Sequence, residues 1–326
     1  MTCVSIIVPA FNVSATLADT LTALFAQTYD HFEIIVVDDG SSDDSVAIAR
    51  SFASDPRLRI IRQPNRGLAG ARNSGIAVAQ GAYIGFCDAD DLWEPSKLAA
   101  HVDHLDQQPD VGVSYAGSSL MHDDGRLMKQ AQRPRLRGIT ASHILKRNPI
   151  GNGSAPVIRR AVFDQIAYRP KHERKRDWYF DETFRQSEDI ECWLRIALTT
   201  DWAFEGVPGL LTRYRINQGG LSAGTDQQLA AWERMIEKLT PLAPDFFAQH
   251  APIARAYQHR YLCRRAISDL DVAKATYWAA SWLQTSKKTF VEEPRKSVET
   301  YAAMMLMRVI GAGTLRGLAA LRMGRG

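Results

Sequence analysis

Short apolar runs alternate with stretches of helical period along the first two thirds of the chain, and the last third is helical throughout. Residues 4–8 form a largely β-branched run closed by Pro9, which predicts a first buried strand. Ser14 then suits an N-cap for a helix carrying Leu17, Leu21, Leu24 and Phe25 on one face. Residues 32–37 predict a second strand, ending in the turn Asp38-Asp39-Gly40-Ser41-Ser42. A helix started by Asp43 or Asp44 follows, with Val46, Ile48 and Phe52 as its apolar positions. Residues 58–61 form a third, short strand. A loop with Asn65, Arg66, Gly67 and Gly70 leads into a helix over 69–79, and Gly81 resets the chain into a strand over 83–87. The order βαβαβαβ with short connections predicts a mostly parallel, Rossmann-like sheet covered by helices on both faces.

The second half is less regular. A helix is predicted over 95–107, a strand over 111–115 and a hairpin turn at Asp123-Asp124-Gly125. Then come a helix over 139–146, a strand over 155–159 and a helix over 160–166. Residues 168–185 are basic, dotted with aromatics and aperiodic, which suits a lid or binding loop. Ser187 predicts the N-cap of a helix over 188–198, and 210–216 a last strand. The breakers Gly219, Gly220, Ser222 and Gly224 mark a domain boundary. Helices over 226–239, 251–269, 272–285 and 298–310 follow, in the manner of a small bundle. The expected organisation is therefore an α/β domain over 1–224, in halves 1–110 and 111–224, and an all-helical C-terminal extension over 225–326.

Composition narrows the function classes. A net charge of +4 on 326 residues is too weak to imply nucleic acid. The four cysteines lie at 3, 87, 192 and 263 without metal-ligand spacing, which predicts reduced thiols in a cytosolic setting. The N-terminus lacks a basic region before its apolar run, so no signal peptide is expected. The longest apolar candidate, 302–321, is broken by Arg308 and Arg316 and is not expected to span a bilayer. Arginines 308, 316, 322 and 325 among apolar residues suit either a helix lying on an anionic membrane surface or an ordinary terminal helix.

The chemistry concentrates in GAYIGFCDADDLWEP, residues 81–95, where a buried strand runs into Asp88, Asp90 and Asp91. Ligands of open α/β sheets bind at the carboxyl ends of strands. Crowded carboxylates repel one another, and a hard cation relieves the repulsion; Mg²⁺ typically takes one or two carboxylates and substrate phosphates. On these residues alone, a metal–diphosphate site competes with a solvated acidic turn capping the next helix. Two further strand ends, Pro9-Ala10-Phe11-Asn12 and Asp38-Asp39-Gly40-Ser41, would share that edge. An aromatic ring offers a stacking face to a base, and a carboxylate accepts from a base N–H or a ribose hydroxyl. Arg72, after a glycine-rich loop, could face a phosphate or a base edge.

The segments VSIIVPAFN, EIIVVDDGSSDDS, NRGLAGARNSG, GAYIGFCDADDLWEP, SEDIECWLRIA and RYRINQGGLSAG resemble glycosyltransferase family 2 in order and spacing. That family comprises inverting, sugar-nucleotide-dependent enzymes of GT-A fold, and the resemblance covers about residues 4–224. It implies that Pro9, Phe11, Asn12, Asp39, Arg72, Asp88 and Ala89 bind the nucleotide. It implies that Asp90, with Asp88, holds Mn²⁺ or Mg²⁺ bridging the donor diphosphate. Glu188-Asp189 match the family's acidic pair, with Asp189 as catalytic base, and Tyr214, Arg215 and Ser222 match a motif that folds over the diphosphate. Phe11 departs from a common Tyr, and Asn217 from a common His. No QxxRW motif of the processive synthases follows the acidic pair.

The implied reaction is transfer of one sugar from a nucleotide sugar, a UDP-sugar first, to an acceptor hydroxyl. The acceptor class is a glycan or lipid-linked glycan in exopolysaccharide, O-antigen or capsule assembly. The implied location is cytoplasmic, with the inner membrane face as a peripheral option. A helix N-terminus would favour ionised Asp189. Trp178, Tyr179, Phe180 and Trp193 are candidates for an acceptor platform, with core packing as the alternative. Arg159, Arg160, Lys171, Arg174, Lys175 and Arg176 could meet an anionic lipid diphosphate, or be solvated charge. His101 and His104 are expected at the surface rather than on zinc. A nucleotidyltransferase or a dinucleotide oxidoreductase would open with a glycine-rich loop after the first strand, and Ala10-Phe11-Asn12-Val13 is not one. A non-catalytic scaffold would be expected to lose these acids, which are all present.

Overall fold

The computed structural model describes residues 3–216 and 225–311. It divides into two compact units. The first runs to Ile144 and resumes over Asn148–Trp232; the second joins Leu145–Arg147 to the chain from Glu233 onward. The division falls within a helix over Thr225–Leu239, past the glycine cluster expected to mark it, which lies outside the described residues.

The first unit is built on a sheet of nine strands among the described residues. Its parallel half consists of β1 (Val4–Ala10), β2 (Phe32–Asp38), β3 (Leu58–Arg62) and β4 (Tyr83–Phe86), ordered β3-β2-β1-β4. Each connection carries a helix: α1 (Leu17–Phe25), α2 (Ser45–Ser51) and α3 (Gly67–Val78). β1 is buried on both faces, as expected of a central parallel strand. Val4, Ile6 and Val8 join Leu17, Leu21 and Leu24 of α1 in one core. Ile7, on the opposite face, packs so closely under Gly75 of α3 that a Cβ there would collide with it.

Beyond β4 the sheet becomes mixed. It contains β5 (Leu92–Trp93), β6 (Val111–Met121), β7 (Leu127–Gln132), β8 (Val157–Arg159) and β9 (Ala203–Arg215). β8 lies antiparallel between β4 and β6, and β9 runs parallel to β6. The helices here are α4 (Lys97–Gln107), α5 (Ala141–Lys146), α6 (Arg160–Ile166) and α7 (Glu188–Thr199). β6 and β9 are both longer than their apolar runs predict. Their extra length contains Gly117, Gly206, Pro208 and Gly209, which weaken strand propensity, and pairing survives through shifts of register. β6 and β7 form the hairpin expected at Gly125. One predicted N-cap is corrected: the position belongs to Thr16, and Ser14, two residues earlier, donates its N–H to Asp43. Ser187 does hold the N-cap position of its helix, but in a left-handed conformation and with no side-chain cap bond.

The second unit is helical: α9 (Pro244–Ser268), α10 (Val272–Thr285), α11 (Lys288–Glu292) and α12 (Pro294–Ile310), following α8 (Thr225–Leu239). α9 starts earlier than its periodicity suggests. Pro252 looks like a break in sequence but is carried inside the helix, and Pro244 occupies the tolerated first turn. Cys263, Ala266, Ala275, Ala279, Met304 and Met307 form its core. No helix of the described residues is long and apolar enough to cross a membrane.

Candidate active site

β1, β2 and β4 run parallel, so their carboxyl ends share one edge. A cleft of about 680 Å³ opens there. β1 contributes Pro9 and the half-exposed ring of Phe11; β2 leads to Asp39; β4 leads to Asp88, Ala89 and Asp90. Asp39 is buried, and its carboxylate accepts the Arg66 and Gly67 N–H groups at 2.8 Å each and Gln63 Nε2 at 2.7 Å. It therefore fixes the loop that opens α3. Gly67 has φ +76°, and the Arg185 guanidinium occupies the space a Cβ would need. Asn12 (φ +52°) accepts from the Ser42 N–H at 2.9 Å, tying the ends of β1 and β2 together rather than lining the cleft.

Arg72 of α3 joins two acidic motifs that lie a hundred residues apart in the chain. It is 2% exposed, donates to Asp88 Oδ1 at 3.0 Å and to Glu188 Oε1 at 2.8 Å, and lies over the Phe86 and Phe180 rings. Its Nε is buried without an acceptor. A charge so buried requires partners, because stripping it of water costs several kcal/mol. Burial disfavours the cation, but Asp88, Glu188 and Asp189 outweigh that and raise its pKa. The acids feel the reverse. Burial, reinforced by Asp189 and partly offset by Arg72, pushes Glu188 up to about 7. Burial also raises Asp189, against the pull of Arg72 and of the Ile190 N–H. The expectation that a helix N-terminus keeps Asp189 readily ionised is thus corrected: desolvation outweighs the helix end. Asn148 Nδ2 donates to the outer oxygen of Asp189 at 3.2 Å.

β9 closes the other wall. The Arg215 N–H donates to Asp91 Oδ1, and Arg215 Nε to the Asp90 carbonyl, both at 2.9 Å. Asp91 is fully buried, so it anchors β9 while Asp88 and Asp90 line the cleft. Tyr214 also lines it; burial and then the charges of Asp91, Asp88 and Asp90 raise its phenol pKa. Ser222 and Asn217 lie outside the described residues.

The sequence profile of the family described as Glycosyl transferase family 2 matches residues 5–167, half of the chain. The chain belongs to that family. An uncharacterized glycosyltransferase of Rickettsia bellii is 26% identical over 241 residues, 73% of this chain but 34% of the relative. The chain thus spans about a third of that relative's length. The UDP-Glc:alpha-D-GlcNAc-diphosphoundecaprenol beta-1,3-glucosyltransferase WfgD of Escherichia coli is 26% identical over 227 residues, 69% of this chain and 82% of WfgD. Among solved structures, S. aureus TarS 1-349 in complex with UDP-GlcNAc aligns with TM-score 0.59 at 16% identity, over 94% of this chain and 91% of TarS. The mannosyltransferase PcManGT of Pyrobaculum calidifontis, in complex with GDP-Man and Mn2+, aligns with TM-score 0.53 at 19% identity, over 94% and 86% of the chains. These likenesses establish the GT-A fold.

The family 2 cleft gathers most of the expected residues and excludes others. Trp193 and Trp178 are buried in the core against Phe180 and Tyr168, so neither offers a sugar a stacking face. Phe180 is equally buried. Arg159 is spent on the carbonyls of Val111, Leu105 and Gln108, Arg160 on those of Gly81 and Ala79, and Arg176 on Glu182 and the Gly70 carbonyl. His101 is not at the surface: it is fully buried and shares the Ser114 hydroxyl with His104. Sequence reasoning missed the segment 148–154, which lines the cleft through Asn148, Gly151, Asn152 and Gly153. Its density of Asn, Gly, Pro and Ser was the available signal. Gly153 lies so close to Arg72 and Asp88 that any side chain would displace them.

Proposed function

We propose that this protein is an inverting glycosyltransferase that moves one sugar from a nucleoside-diphosphate sugar to a hydroxyl of a lipid-linked or growing surface glycan. The observation that carries this reading is the Arg72 bridge, which holds Asp88 of the D-A-D run and Glu188 of the acidic pair beside one cleft. The diphosphoundecaprenol acceptor in the WfgD name supports the lipid-linked class, and the UDP-GlcNAc complex of TarS supports UDP as first choice of nucleotide. A lipid-linked acceptor would bring the enzyme to the inner face of a membrane.

Phe11 and Asp39 face the base, and Asp88 the ribose. Among the described residues, no three His, Cys, Asp or Glu side chains form a complete metal cage. Two hard carboxylates at the cleft, Asp88 and Asp90, suit a divalent cation that fills its shell with substrate phosphate and water. Mn²⁺ or Mg²⁺ bound there would offset the charge on the departing diphosphate. Asp189 takes the proton of the acceptor hydroxyl while its oxygen bonds to the anomeric carbon from the face opposite the diphosphate. The bond to the diphosphate breaks with its electron pair, and configuration inverts. Asn148 and the Ile190 N–H orient the base.

Calorimetric titration with UDP, GDP, dTDP and CDP, with and without Mn²⁺, tests the donor site. Metal-dependent binding of one nucleotide, lost in Asp90→Ala, is the expected outcome. No binding of any of the four to folded protein would leave a scaffold protein as the better reading.

A further inference from the structure

Lys97, the first residue of α4, is fully buried. Two physical effects oppose a cation there. Burial strips its water, and the N-terminus of a helix already carries partial positive charge. Among the described residues no carboxylate forms an ion pair with its ammonium, although the charge of Asp91 reaches it; all three N–H groups are given to uncharged oxygens. Lys97 Nζ donates to the Ser154 carbonyl at 2.7 Å, the Ala155 carbonyl at 2.9 Å and Thr212 Oγ1 at 2.7 Å. The Trp93 ring lies 4.5 Å away and sends its own N–H to the Ser154 carbonyl.

What these partners hold gives the lysine its interest. Ser154 Oγ accepts the Asp88 N–H at 2.9 Å, so it fixes the backbone at the start of the D-A-D run. Thr212 lies on β9, three residues before Arg215, whose N–H and Nε hold Asp91 and the Asp90 carbonyl. Gly153, next to Ser154, is the close neighbour of Arg72 and Asp88. The two segments that grip the acidic run therefore meet at one buried ammonium.

We propose that Lys97 is a positioning residue of the donor site: it locks residues 152–155 and β9 onto 88–91 and so sets nucleotide affinity without touching the nucleotide. The proposal rests on the donor-site reading given above. A neutral side chain of similar length fills the same space but withdraws a donor from the Ser154 and Ala155 carbonyls and from Thr212 Oγ1, so the tie between the two segments shrinks to the 3.4 Å bond from Thr212 Oγ1 to the Ser154 carbonyl.

The test is titration of the whole chain with UDP, GDP, dTDP and CDP in Mn²⁺, alongside thermal melting. Lys97→Met should weaken the nucleotide that the wild type binds by roughly tenfold to a hundredfold. Thr212→Val removes one acceptor and keeps the lysine; its affinity should fall in the same direction by less, which serves should Lys97→Met not fold. His101→Leu is the stability control. It sits on the same helix at the same burial, but its partner is Ser114. It should lower the melting temperature and leave nucleotide affinity within about twofold. Wild-type affinity in folded Lys97→Met, or in Thr212→Val, overturns the proposal. So does a loss in His101→Leu that matches the lysine variant, since the effect would then be general destabilisation. Failure of the wild type to bind any of the four nucleotides overturns the donor-site reading itself.

Discussion

Two buried arginines, one in each compact unit, show how the same side chain can serve opposite ends. Arg72 is 2% exposed and Arg260 1%. Both lie over aromatic rings, Arg72 over Phe86 and Phe180 and Arg260 over Tyr257 and Trp282. Around Arg72, one cation serves three acids: Asp88, Glu188 and Asp189. Around Arg260 the ratio is inverted. One acid, Glu293, serves Arg260, Arg147 and Lys296. Burial would raise Glu293, but the Arg260 hydrogen bond and the charge of Arg147 outweigh it and hold its pKa below the ordinary value. In the α/β unit, burial wins for Glu188 and Asp189. A satisfied acid such as Glu293 is a weld between helices. Around Arg72 the acids outnumber their one cation, and burial raises the proton affinity of Glu188 and Asp189, a mark of candidate general bases in a cleft.

The comparison can be broken in graded steps. The largest effect belongs to Asp189→Asn, which should lower kcat by roughly 10²–10⁴-fold while leaving nucleotide affinity unchanged in titration. Arg72→Met should destabilise the protein by about 3–5 kcal/mol in denaturant melts, because it strands the buried Glu188; Arg260→Met should cost less, because Glu293 keeps Arg147 and Lys296. Only Arg72→Met should also move the acid limb of the pH–rate profile. That limb should lie above the ordinary carboxylate range of about 4 in the wild type, because burial raises Asp189. Removing the arginine takes away the positive charge that opposes burial, so the limb should move to higher pH. An unchanged limb in Arg72→Met would remove the electrostatic distinction between the two arginines.

A smaller effect concerns stability against pH. Glu188 holds its proton up to about 7 in the folded chain, above its unfolded value of 4.5. Between these values the native state binds more protons than the unfolded one, so this group's contribution falls as pH rises through that window. Glu188→Gln should remove a slope on the order of 2 kcal/mol between pH 4.5 and pH 7.5, read from melts at several pH values. Glu293→Gln should behave oppositely. Its lowered pKa stabilises the fold above the unfolded value and loses that benefit only in acid, so the variant's deficit should be full at neutral pH and vanish as pH falls. The smallest expected change is at Phe11, whose ring is 49% exposed. Phe11→Ala should leave the melting temperature nearly unaltered and weaken nucleotide binding by about 1–3 kcal/mol.

Legibility followed physical range. The parallel half of the sheet was readable because strands buried on both faces must be continuous apolar runs, as 4–8 and 32–37 are. The acids after β4 were readable because hydrophilic residues at the end of such a run have few other places to be. β7, by contrast, is a mostly exposed strand with no apolar pattern, and only its hairpin turn announced it. The segment 148–154 was passed over because its role lies in backbone closeness and amide geometry, which leave only a trace of Gly, Asn and Ser. Trp178 and Trp193 illustrate the opposite error. An aromatic cluster in sequence suits a sugar platform and a core equally, and burial alone separates the two.

The sequence by itself determined the order of strands and helices in the parallel half of the sheet, the family, and the residue types offered at the cleft. Those depend on local period and on motif chemistry, both of which survive in one dimension. Tertiary structure alone decided the balance of charge. Nothing local shows that Arg72 must divide itself between Asp88 and Glu188, that burial outweighs a helix end at Asp189, or that Lys97 is a buried bolt rather than a surface charge. Each of these depends on how far a group is removed from water and on which distant partner meets it there, and desolvation is a property of the packed chain.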